Sequence, residues 1–145
     1  MKTIADLHIH SRFSMATSKE GTPENLDFWA RKKGISLIGT GDFTHPVWRE
    51  ELKKRLIAEG NSLYRLRDEY VKEESRKFPG EGTHFVVSGE ISSIYKKNGK
   101  TRKVHNVILL PSLEAADAMA QRLEKIGNIH SDGRPILGLD SHDLL

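Results

Sequence analysis

Cysteine is missing from the sequence altogether, which excludes disulfides and thiolate metal sites and leaves His, Asp and Glu as the side chains able to hold a metal. Long apolar runs are missing too: nothing approaches the ~20 residues of a membrane span. The N-terminus lacks the basic-then-apolar layout of a signal peptide, so a cytoplasmic location without membrane contact is the expectation. Disorder is excluded by the balance of 37% hydrophobic and 30% charged residues, which is that of a globular chain. At 145 residues there is room for one domain with a real core over 1–145, and not for two.

What is present in excess is positive charge. The formal charge is +3 and the sequence pI about 9.2. The cations gather in Arg31-Lys32-Lys33, in Lys53-Lys54-Arg55 and between Lys96 and Lys103, where five fall in eight residues without an acid. Such runs fit a polyanion, and they equally fit the solvated face of a helix or a turn.

The chain opens on Asp6-Leu7-His8-Ile9-His10. In a strand, Ile4, Asp6, His8 and His10 share one face, so both imidazoles point the same way, some ~7 Å apart along the strand. They can converge on one cation if the strand end curls, with Asp6 as a carboxylate partner for a ligating ring. Two surface histidines at a strand terminus is the alternative.

Thr22-Pro23 caps and starts a helix that Gly34 closes, and an extended run over 35–40 follows, completing a β-α-β unit. A second helix is expected from Val47 to about Ala58 after Gly41-Asp42-Phe43-Thr44-His45-Pro46, and a third, amphipathic, from Leu63 to Lys77. His84 to Glu90 reads as a strand. Asn98-Gly99 signals a hairpin between Ile91–Lys97 and Lys100–Leu110, and Ser112 caps a helix through Ile126. Apolar Ile136 to Leu139 then leads to Asp140 or Ser141, an N-cap with little helix after it, and the expectation is a fragment of a (β/α) barrel.

Parallel sheets and barrels carry their working groups at the carboxyl ends of strands. Here those ends hold His8 and His10, then Asp42 with His45 nearby, then Glu90, while His105 lies in the hairpin's return arm. Three consecutive strand ends bearing metal-type ligands, none a lysine, point to a metal site. Asp42 also fits a helix cap and His105 a satisfied core histidine. His45 fits a ligand, a substrate contact or a cap, whereas His84, His130 and His142 read as structural or solvent-facing.

These residues resemble the PHP (polymerase and histidinol phosphatase) family, whose opening Asp-Leu-His-x-His matches Asp6 to His10. The second family motif, Thr-Asp-His, is displaced here to Gly41-Asp42-Phe43-Thr44-His45. Gly89-Glu90 and Val104-His105-Asn106-Val107 match the third acid and the following histidine. More narrowly, His10-Ser11-Arg12-Phe13-Ser14, Gly39 to Pro46 and His105-Asn106-Val107-Ile108 are similar to the endonuclease Q branch, whose members nick DNA beside deaminated bases. The resemblance implies an α/β fold of the PHP type, a distorted TIM-like (β/α) barrel, here partial and with an inserted β-hairpin. It implies metal-dependent hydrolysis of phosphoesters, with His8, His10, Asp42, Glu90 and His105 as ligands, possible help from His45, and Glu90 bridging. Zinc is the expected ion, with manganese or magnesium as alternatives, and DNA the expected partner, met by Arg12, Lys97, Lys100 and Arg102. The family's later ligands, another histidine and a closing Asp-x-His, are expected beyond the residues present. A small-molecule phosphatase of the histidinol phosphate kind and a metal-stabilised binding module are the rival readings.

Overall fold

The computed structural model describes residues 2–144, so the terminal residues of the expected 1–145 domain lie outside the described residues. Its frame is a mixed sheet. β1 (Ala5–Asp6), β2 (Leu37–Gly39) and β5 (His84–Lys97) run parallel, with Ala5 opposite Leu37 and Leu37 opposite His84. The other edge of β5 takes antiparallel β4 (Tyr64–Leu66), which in turn pairs with β3 (Leu56–Ala58).

The middle of the sheet is β5, an unbroken strand of 14 residues that outruns its neighbours. Beyond the ends of β2 and β4 it continues as a second ladder, antiparallel to β6 (Lys100–Leu110) from Val87 to Lys97 and parallel to β7 (Ile136–Leu137) at Ser92 and Ser93. The hairpin is therefore an extension of the central strand and not a separate excursion. Asn98 and Gly99 both adopt positive φ, 53° and 72°, the geometry that a two-residue hairpin turn demands.

Helix α1 (Pro23–Lys33) starts where Thr22 accepts a hydrogen bond from the Asn25 N–H and stops at Gly34, whose φ of 71° is left-handed. Helix α2 (Pro46–Arg55) is held against the end of β2 by the Trp48 indole N–H, which donates to the carbonyls of Thr40 and Gly41. The core lies between the sheet and the helices α2 and α3 (Leu113–Glu124), with Phe43, Trp48, Leu52, Phe85 and Ile91 fully buried. A last short helix, α4, covers Ser141–Leu144. No helix among the described residues is long and apolar enough to cross a membrane.

Two expectations are corrected. The helix expected to reach Ala58 ends at Arg55, and the helix expected over Leu63–Lys77 is absent. Tyr64 and Leu66 are buried at alternate positions and pair with β5 and β3, so period two overrides the weaker helical spacing; two short 3-10 turns, Asp68–Tyr70 and Glu73–Lys77, follow. As for architecture, the barrel, expected to be partial, is not closed. The sheet runs β1-β2-β5-β4-β3 with β6 and β7 joined only to β5, leaving β1 and β3 at opposite edges.

Candidate metal centre

Glu90 sits on the stretch of β5 just past the end of β2, where the strand leaves one ladder and enters the next. Its side chain is 1% exposed, a placement that costs several kcal/mol for an isolated carboxylate. Three imidazoles converge on it. His8 Nε2 lies 2.6 Å and His10 Nε2 3.2 Å from Oε2, and His105 Nδ1 lies 2.6 Å from Oε1. His105 faces Ser92 across the ladder while Glu90 faces Val107, so the histidine reaches the carboxylate along the diagonal of one sheet face.

One donor atom from each of His8, His10 and Glu90 falls within 4.8 Å of the others. The outer sides of His8 and His105 remain open, at 51% and 61% side-chain exposure. Burial alone would raise the Glu90 carboxyl, but the His8 hydrogen bond and the charges of His105, His10 and His8 outweigh it and hold the group below its ordinary value. A buried carboxylate ringed by imidazoles, with one oxygen toward each side, fits a divalent cation and needs no lysine or arginine to balance it.

Asp42 is placed differently. Gly41 and Asp42 both take left-handed backbone, φ 64° and 52°, a turn that Asp tolerates better than most residues. The turn drives the carboxylate into the loop after His10. There Oδ2 accepts from the Ser11 N–H at 2.7 Å and the Ser11 hydroxyl at 2.6 Å, and Oδ1 accepts from the Ser14 hydroxyl at 2.9 Å and lies 3.2 Å from His10 Nδ1. With both oxygens engaged, Asp42 lies behind the His10 ring, on Nδ1, while Nε2 faces Glu90. The Asp42 hydrogen bond raises the His10 pKa above its ordinary value, against the lowering effect of burial. Asp6 itself is exposed and bonds neither ring among the described residues.

His45 is buried with its ring stacked on Phe13, centroids 4.3 Å apart, and lies outside the three-residue cluster. Arg12 turns to Glu51 at 2.7 Å. Lys97 pairs with Asp140 at 2.9 Å, whereas Lys100 and Arg102 are exposed at the hairpin tip. The pattern Asp-x-His does occur within the chain, as Asp140-Ser141-His142, but Asp140 is engaged by Lys97 and the His142 backbone, and the His142 side chain is 91% exposed. His84, at the opposite end of β5, meets Glu59.

Sequence reasoning missed Ser11, Ser14 and Gly133. A Cβ on Gly133 would stand 2.4 Å from the Asp42 carboxyl, so the 132–135 turn packs on this acid only because that residue is glycine. Nothing in periodicity marks these positions; two serines in a polar loop and an Asp-Gly turn are the whole signal.

No protein-family model matches the chain. Among solved structures it resembles the lesion-specific endonuclease PfuEndoQ from Pyrococcus furiosus, at TM-score 0.76 and 28% identity over 98% of this chain and 30% of that one. The fold is endonuclease Q-like. A second such structure, endonuclease Q in complex with a 27-mer duplex substrate carrying an abasic lesion at the active site, matches at TM-score 0.69 and 30% identity over 93% of this chain and 29% of that one. In sequence the chain is 34% identical to the uncharacterized protein MJ0043 of Methanocaldococcus jannaschii over 97% of its own length and 14% of that protein's. The chain thus spans less than a third of the length of each of these longer proteins.

Proposed function

We propose that the chain is the metal-holding part of a DNA repair endonuclease that hydrolyses phosphodiester bonds beside damaged bases. The observation that carries this reading is the buried Glu90 ringed by His8, His10 and His105 on an endonuclease Q-like fold. Divalent cations held there, zinc first and manganese next by the donor set, would supply a Lewis acid and offset negative charge on the phosphate. Glu90 shares its two oxygens between the His8–His10 side and the His105 side. Asp42 fixes the His10 ring so that Nε2 faces Glu90, the role a carboxylate behind a ligating histidine performs. The half-exposed His8 and His105 leave one side of the cluster open to solvent, where a phosphate backbone could approach.

The hairpin extends this reading to the DNA. Lys97 lies seven residues past Glu90 on one strand, which places the tip roughly 20 Å beyond the cluster, or about six base pairs along a duplex. Lys100 and Arg102 there have no acid partner among the described residues. The test is a metal titration joined to a DNA titration. The chain should bind zinc or manganese, His8→Ala should lower bound metal markedly, and the loaded chain should bind duplex DNA. Lys100→Ala with Arg102→Ala should weaken that binding for all sequences alike and flatten its salt slope by up to about 0.9 per lost contact, with metal content unchanged. Equal metal-to-protein ratios with and without His8 would remove the metal site, and an unchanged salt slope would return the hairpin to solvent.

A further inference from the structure

The turn between residues 132 and 135 carries a cation that the metal centre does not explain. It is pinned on both sides of the site. On the Asp42 side the Gly133 N–H donates to the Phe13 carbonyl at 2.9 Å, the Gly133 carbonyl accepts from the Thr44 hydroxyl at 3.3 Å, and Gly133 itself packs on the Asp42 carboxyl. On the Glu90 side the Ser92 N–H donates to the Pro135 carbonyl at 2.9 Å, and β7 follows at once. Asp132 fixes the start of the turn, accepting from the Arg134 and Met15 N–H groups. Arg134 is the residue between these anchors, half-buried, on backbone that spans from one acid of the site to the other.

Its charge is unbalanced. No carboxylate lies within ion-pair distance of the Arg134 guanidinium among the described residues, whereas Arg12, nearer in sequence to the histidines, is tied to Glu51. Arg134 is close enough to His10 for its charge to oppose protonation of that ring. A guanidinium carried on a turn between the two acids stands near a cluster that would gather divalent cations, and is repelled by them. The arrangement becomes favourable when an anion enters between the two, and a planar fork suits the two free oxygens of a phosphodiester.

Resting on the phosphodiesterase reading, we propose that Arg134 grips the non-bridging oxygens of the phosphate bound at the His8–His10–Glu90 cluster. It is a substrate-binding residue of that site. The probe is a thymidine dinucleotide with a single phosphodiester, compared with its uncharged methylphosphonate analogue, each titrated calorimetrically into the manganese-loaded chain. The unmodified chain should prefer the charged diester. Arg134→Gln should lose about 10- to 100-fold of that preference, the worth of a charge-assisted contact. Arg134→Lys should keep part of it, because the charge survives and the fork does not. Metal-to-protein ratio and Tm should match across the three chains.

An Arg134→Gln chain that keeps the full preference would overturn this assignment and leave the phosphodiesterase reading standing. An unmodified, metal-loaded chain that fails to distinguish the two probes would overturn both. Loss of bound metal or a fall in Tm in Arg134→Gln, not mended in Arg134→Lys, would make the residue a structural support of the turn and overturn the grip.

Discussion

Glu90, inside β5, and Asp42, in the turn after β2, both withdraw their side chains from solvent, at 1% and 0% exposure. Their surroundings differ in kind. Asp42 is met by a backbone N–H, two serine hydroxyls and one imidazole, groups that donate hydrogen bonds and have nothing to offer a cation beyond what they already give. Among the described residues Glu90 is met only by imidazoles, whose ring nitrogens donate or accept according to tautomer and bind metals when neutral. Burial of a carboxylate can therefore serve two ends. A saturated acid fixes a ring in place, and an acid left among metal-type donors gathers charge.

The sharpest way to break this comparison is Glu90→Gln, which preserves shape and removes the charge. It should strip most of the bound metal, as read by elemental analysis after dialysis. A metal ratio equal to that of the parent would show that the two acids do not differ as argued. Asp42→Asn should act at a distance: occupancy at saturating metal is retained, and affinity falls about 10- to 100-fold because the His10 ring loses the charged partner that orients it. If Asp42→Asn emptied the site as fully as Glu90→Gln, Asp42 would be a ligand and the division between the acids would fail. Gly133→Ala presses a methyl group onto the Asp42 carboxyl at 2.4 Å. Overpacking of that sort costs about 1–3 kcal/mol, to be read as a shift in the denaturation midpoint. A midpoint equal to the parent's would mean that the turn yields freely and does not hold Asp42.

The division between the acids also marks what sequence could and could not convey. His8, His10 and Glu90 stand out by residue type and spacing, although the strand-end rule behind that reading is only partly met: β1 stops at Asp6, short of both histidines, and Glu90 lies inside β5 and not at its end. His105 was reachable through the hairpin, whose register follows from Asn98-Gly99. The hydrogen bonds around Asp42 were not, because they depend on two consecutive left-handed residues and on serines supplied by a different loop. The antiparallel pair β3 and β4 escaped notice for the same reason. Period two over Tyr64 and Leu66 competes with helical spacing through Tyr70, and only the ladder with His84 and Phe85 decides between them. Gly133 meets Asp42 across some ninety residues of chain, a separation that no local pattern encodes.

The smallest effect expected on the Asp42 side belongs to His45. Its ring is buried against Phe13, and desolvation lowers its pKa from the ordinary value near 6.5; the charges of His130 and Arg49 push the same way, while the Asp42 charge and a hydrogen bond with the His130 backbone oppose them. The folded chain thus holds this imidazole neutral where the unfolded chain has begun to protonate it. Stability from this group is complete above the unfolded pKa and is lost as pH falls from there through the lowered folded value. His10 runs the opposite way: its pKa is raised by Asp42, so its contribution is present at low pH and is lost as pH rises through the folded value. Both the parent and His45→Phe carry His10, so its effect cancels when the two metal-free chains are compared. Phenylalanine keeps a ring against Phe13 and cannot titrate. The stability of His45→Phe relative to the parent should therefore improve steadily from about pH 8 to about pH 5, as measured by urea denaturation in the presence of a chelator. A difference that stays constant across that range would mean that His45 is open to protonation in the folded chain, and that the Asp42 side is wetter than its closed hydrogen bonding implies.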